Sequence, residues 1–210
     1  MLLSTQNAFK GLFFLLAAAV SAYALCHSWI YSDEADGIAE KFKSLNSIFV
    51  YAHLVGGAAA LLSGAAQLFT AKGSRLHRQL GIGYCLAVVI AGIGGGYLSF
   101  FAEHGPSTGV GFFILDVLWF YTTFMAVLAA RTHQTARHRR WIIRSLALTA
   151  AAISLRIELL LYTLVWNFET SYLIVAWSCW LGNLLLAEVY LFYTSLKLTT
   201  TNFPKGNLSL

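Results

Sequence analysis

Apolar residues in this chain neither alternate nor recur at a helical period; they run on. Six stretches, roughly 9–31, 47–70, 80–102, 110–131, 141–165 and 171–196, are almost continuously apolar and are separated by short polar turns. The hydrocarbon core of a bilayer is about 30 Å thick, and a helix crosses it in about 20 residues. Backbone groups in lipid must be satisfied within the segment, which a helix achieves and a lone strand does not. The pattern therefore predicts an all-α, polytopic transmembrane bundle of six spans. It forms a single membrane domain over 1–210, ending in a short polar tail over 198–210. Short turns make consecutive spans antiparallel neighbours.

Charge enters mainly between the runs, and its distribution sets the orientation. Half of the cations fall in two turns, AKGSRLHRQ and RTHQTARHRRW, whereas SDEADGIAE carries acids and EHGPSTG one more. Under the positive-inside rule the basic turns are cytoplasmic. Both termini, with Lys10 at one end and Lys197 and Lys205 at the other, then lie on that same side. The expected location is the bacterial inner membrane, multi-pass. Only 11% of residues are charged against 58% hydrophobic, so the net charge of +5 marks membrane lipids as partners and excludes a nucleic-acid surface. Cys26, Cys85 and Cys179 sit in apolar spans without paired spacing, which implies neither a disulfide framework nor a zinc site. Lys10, the apolar run 11–20 and Ala22-Tyr23-Ala24 resemble a secretory signal. Apolar residues continue through Trp29 and Ile30, however, making a full span.

Glycine concentrates in spans two and three, at Gly56, Gly57, Gly64, Gly92, Gly94, Gly95 and Gly96. Small residues let membrane helices approach closely. A faint repeat accompanies them: a shift of 61 residues lays His77 on His138 and places His53 two residues before Asp116. Two parallel helical hairpins of similar design follow from that offset.

Polar residues inside the runs mark the candidate site, because an ionised side chain at mid-bilayer costs about 2.5–3.5 kcal/mol on insertion scales. One layer comprises His53, Asp116, Arg156 and Glu158, all about 9–12 Å below the outer interface by helical rise; His27 and His104 border it. Arg156 and Glu158 are two residues apart, about 200° around their helix, so they face different neighbours. Asp116 with Arg156 and His53 with Glu158 is the preferred pairing, the swapped one nearly equivalent. An inner layer holds Gln67, His77, Arg78, His138, Arg139, Arg144 and Glu188, with Arg144 and Glu188 as a structural ion pair. Between the layers lies an apolar middle containing Cys85 and Asn183.

His53, a small-residue helix ending in Gln67, then LHRQLGIGY and RHRRWIIRSLALTAAAISLR, together resemble the uncharacterised bacterial membrane-protein family numbered 2306 among domains of unknown function. The resemblance covers about 47–160 and maps onto His53, Gln67, His77, Arg78, Gly81, Tyr84, His138, Arg139, Trp141, Arg144 and Arg156. It supports the topology and carries no activity.

Three chemistries fit these residues. Inner and outer histidine layers suit a b-type haem electron-transfer bundle, with His77 and His138 as one axial pair and His53 with His27 or His104 as another. That arrangement is similar to the ascorbate-dependent di-haem cytochromes, although span four carries Asp116 where a fourth histidine is expected. Alternatively, the His/Asp/Arg/Glu cluster serves a small transporter or sensor for a proton, metal ion or solute, with a divalent ion at His27, His53 and His104 as one form. Transport by six spans would call for a homo-oligomer, and no pair of broken helices marks a midplane substrate site. Finally, the buried charges can fix helix register in an accessory subunit of a larger complex. Nucleophile-elbow, phosphate-loop, HExxH and CxxC motifs are absent.

Overall fold

The computed structural model describes residues 2–30 and 44–201, with side chains described for Thr5, 7–26 and 44–196. The acidic SDEADGIAE segment and the tail beyond 201 lie outside that range. All regular elements among the described residues are helical: α1 (Leu2–Ile30), α2 (Ser47–Gln67), α3 (Arg75–Ser99), α4 (Pro106–Arg131), α5 (Thr135–Thr149), α6 (Ala151–Tyr162) and α7 (Phe168–Thr201). Six stretches are long and apolar enough to cross a membrane, α5 and α6 together forming one of them.

Two helices begin earlier than hydropathy predicts. Hydropathy opens span three at 80, but α3 starts at Arg75 because Ser74 caps it: its extended backbone lets Oγ accept from the His77 amide at 3.1 Å. Such a cap satisfies one of the helix's otherwise orphaned donors. Span five opens at 141 by hydropathy, but α5 starts at Thr135, so His138, Arg139 and Arg140 are helical. Their arginines defeat a hydropathy window without defeating the helix.

Spans two to five make the centre of the bundle, and α2 packs on α3 more extensively than any other pair. α1 lies against α2 and touches α6, while α7 covers α4, α5 and α6. Gly56 and Gly94 explain the α2–α3 contact. A Cβ on Gly56 would stand 2.8 Å from the Ala91 nitrogen; one on Gly94 would stand 2.5 Å from the Phe49 carbonyl oxygen and 2.6 Å from the His53 nitrogen. Without side chains there, the two backbones gain dispersion contacts, the main source of attraction between helices in lipid. Phe49 stacked on Tyr97 at 4.4 Å closes the far end of the pair.

Span five is not the continuous helix that hydropathy implies over 141–165. It breaks at Ala150, between α5 and α6. Thr149 turns its hydroxyl back to the Ser145 carbonyl at 2.9 Å, a contact that bends helices. Asn183 on α7 bridges the break: its Nδ2 donates to the Ala147 carbonyl at 3.2 Å and its Oδ1 accepts from Ser154 Oγ at 2.9 Å.

Gly94→Val is expected to cost more than about 3 kcal/mol, since over-packing against backbone leaves no side chain to move aside. Gly57→Ala, whose Cβ would meet nothing within 4 Å, should be neutral or slightly stabilising. Thermal unfolding of both variants in detergent checks the pair.

Candidate functional site

The α2–α3 crossing lays His53 against α3, where its Nδ1 lies 3.2 Å from the Ala91 carbonyl oxygen. Asp116 reaches the same place from α4. A Cβ on Gly95 would lie 2.5 Å from Asp116 Oδ2 and 2.9 Å from His53 Nδ1, so the carboxyl and the imidazole border the one space that glycine leaves. Asp116 is only 7% exposed. No ion pair or hydrogen bond to its carboxyl exists among the described residues.

Arg156 lies near enough to His53 to interact electrostatically, but neither expected pairing forms as a contact. Arg156 Nη1 donates to the Ala152 carbonyl at 2.6 Å, its Cζ lies 5.9 Å from the Tyr23 ring, and its buried Nε has no partner. Glu158 instead accepts a short hydrogen bond from the Ser178 hydroxyl of α7. The two charges do face different neighbours, as their 200° separation requires. Those neighbours are α1 and α7 because α6 packs between them, while the Asp116 carboxyl is turned to α2 and α3. Removing Arg156 therefore strands no carboxylate.

His104 is not brought to His53. It occupies the turn before α4 with a left-handed φ of 62°, in edge contact with Phe168 and Tyr172 and 3.9 Å from the Glu103 carboxylate. His27 lies in the last turn of α1, its side chain outside the described residues. No group of three or more His, Cys, Asp or Glu able to hold a metal ion occurs among the described residues.

The middle of the bundle is not apolar. Tyr84, fully buried on α3, places its hydroxyl 2.6 Å from Ser145 Oγ and 2.7 Å from Thr149 Oγ1. Trp119 Nε1 donates to Thr149 Oγ1 at 2.9 Å, and Thr123 Oγ1 lies 2.7 Å from Ser145 Oγ. With Thr149 donating to the Ser145 carbonyl, one direction gives every hydroxyl an acceptor: Thr123 to Ser145, Ser145 to Tyr84, Tyr84 to Thr149. Of this cluster the sequence marks only Tyr84, through the family resemblance, because hydropathy treats Ser, Thr, Tyr and Trp as nearly neutral. The available signal is Tyr84 and Ser145 standing 61 residues apart, the offset of the internal repeat. Equivalent positions of the two hairpins thus touch, as across a two-fold axis.

Seven residues, or two turns, toward the basic end from those positions lie His77 and His138. They share the faces of Tyr84 and Ser145 and are near enough to interact electrostatically. His77 Nδ1 is 3.0 Å from Thr70 Oγ1 and His138 Nδ1 is 2.9 Å from the Ala126 carbonyl. Both rings are thus anchored through Nδ1, with no partner for Nε2 among the described residues. That disposition suits imidazoles that ligate through Nε2. Gln67 projects its amide over Gly81, 3.9 Å from where a Cβ would be. Arg144 binds Glu188 through Nε at 2.5 Å and Nη2 at 2.8 Å, as expected, and lies over Trp141. Arg139 donates to the Tyr190 hydroxyl at 2.9 Å, while Arg78 is exposed.

A family model described as predicted membrane protein (DUF2306) matches residues 50–191, and the chain belongs to that family. The match runs past the motif-bearing region ending near 160 and takes in most of α7. Neither a curated protein nor a solved structure matches the chain.

Tyr84→Phe leaves the Ser145 and Thr149 hydroxyls short of a buried partner and is expected to cost about 1–3 kcal/mol. Cys85→Ala, one position along, should cost less. The difference in unfolding temperature between the two checks the role of the network.

Proposed function

We propose that this member of the family binds and releases a proton inside the bilayer at Asp116 and His53, as part of a small proton-coupled transporter or sensor. The observation that carries the reading is the Asp116 carboxyl, buried on a membrane span without an ion-pair partner among the described residues and facing His53 across Gly95. A carboxyl so placed either carries a proton or meets a cation, since a lone carboxylate there costs several kcal/mol. Intramembrane acid and imidazole side chains are the usual parts of proton relays. The basic turns support an orientation with both termini in the cytoplasm of a bacterial cell, in the inner membrane, and six spans favour a homo-oligomer.

One observation favours a second reading. His77 and His138, anchored through Nδ1, offer two Nε2 atoms from facing helices, a donor set that fits the axial ligation of one b-type haem. Arg78 and Arg139 stand at that end to meet its propionates. Bound there, the group would supply one-electron transfer. Nothing comparable supports an outer haem on His53 and His104.

Infrared difference spectra of the reconstituted protein across a pH step test the first reading. A protonated-carboxyl band is expected that disappears in Asp116→Asn and shifts in His53→Gln. Spectra identical in wild type and Asp116→Asn would overturn it. For the second, a Soret band should accompany the purified protein and vanish in both His77→Ala and His138→Ala.

A further inference from the structure

At the basic end of the bundle, the turn between α4 and α5 and the first three turns of α5 border an open groove of about 680 Å³. His133, Gln134, Arg137, Arg140, Trp141 and Arg144 line it. The three arginines are spaced i, i+3 and i+7 and so share one face of α5. Their charges are not equally available. Arg144 is neutralised by Glu188. Arg137 makes only a 3.3 Å contact with the neutral Gln134 side chain, and Arg140 has no ion pair or hydrogen bond among the described residues. No acid lines the groove. Two guanidinium groups therefore share one concavity with no counter-charge.

His133 adds an independent oddity. α4 ends with the Gln134 amide donating to the Ala129 carbonyl at 2.9 Å and the His133 amide to the Ala130 carbonyl at 3.2 Å. This helix ending places His133 in the left-handed region, at φ 57°, where glycine is the usual occupant. An imidazole is held there, at the mouth of the groove, in a conformation that costs it backbone strain.

We infer that this groove binds a phosphate-bearing anion between Arg137 and Arg140, with His133 at its rim. Planar guanidinium groups match phosphate oxygens in paired hydrogen bonds, and two of them balance a charge of up to two. The same chemistry is presented by the headgroup of an anionic phospholipid and by soluble phosphate. The site is separate from Asp116 and His53 and does not depend on the proton reading.

The test is binding by the purified full chain, read by native mass spectrometry, with phosphatidylglycerol, phosphatidylcholine and inorganic phosphate as probes. Arg137→Gln with Arg140→Gln should weaken the anionic probe by about ten-fold, the loss of one charge-assisted contact or more. Lys72→Gln with Arg75→Gln removes the same charge from the other basic turn and should change it less than about two-fold. His133→Gly relieves the strained turn, so it should fold at least as stably as wild type while binding more weakly. Retention of phosphatidylglycerol that millimolar phosphate does not displace identifies a lipid site; displacement identifies a soluble phosphate. Equal losses in the two double variants would mean diffuse surface charge and overturn the inference, as would no retention of either anion.

Discussion

The backbone contact between α2 and α3 positions the rest of the bundle. Lipid tails are as apolar as the helices they surround, so burial of apolar area gives little preference for one packing over another. What remains is the dispersion gained when two backbones touch. Gly56 and Gly94 permit that touch, and it carries His53 onto the Ala91 carbonyl. The same glycine run serves a second neighbour. Gly92 and Gly95, three residues apart on one face, receive Phe120 and Asp116 of α4, while Gly94, about 100° from Gly95 and further from Gly92, receives α2. One short segment of α3 thereby fixes two helices and leaves, at Gly95, a space bordered by both an acid and an imidazole.

Span five shows how a hydroxyl and an amide reshape a helix that hydropathy reads as continuous. Thr149 has two commitments, to the Ser145 carbonyl behind it and to the Tyr84 and Trp119 side chains beside it. Meeting both bends the helix. Asn183 then takes the Ala147 carbonyl on one side of the break and the Ser154 hydroxyl on the other. The joint is pinned rather than left open to lipid, where unsatisfied backbone is costly. The break also decides the fate of Arg156 and Glu158. Beyond Ala150 the span belongs to α1 and α7, and its two charges follow it there.

Six spans and the Arg144–Glu188 pair are legible from the sequence, for physical reasons that differ. Spans are set by total apolarity over about 20 residues, which a window reads directly. The ion pair follows from two charges of opposite sign, near the same depth on adjacent spans. The Asp116–Arg156 pairing fails because common depth does not specify azimuth: the carboxyl turns to Gly95 on α3, the guanidinium toward Tyr23 on α1. The Tyr84 network is invisible for another reason. Its members are each ordinary in a membrane helix, and only the packing of three helices makes them a cluster. The early starts of α3 and α5 escape because a serine cap and an arginine-rich first turn favour helix while reading as loop to hydropathy.

The middle and the two ends of this polar column differ in one respect that constrains any mechanism. In the middle every hydroxyl donates, and the chain of donors terminates on the Ser145 carbonyl, a group that has no proton to pass on. Such a chain is a strut, not a wire. Free hydrogen-bonding capacity in the column lies above and below it: the Asp116 carboxyl on one side, and the Gln67 amide and the Nε2 atoms of His77 and His138 on the other. A proton passed along these hydroxyls would first require Thr149 to release Ser145, and Thr149 is the last residue before the break in span five. The strut and the joint therefore share Thr149, while Asn183 pins the joint from α7.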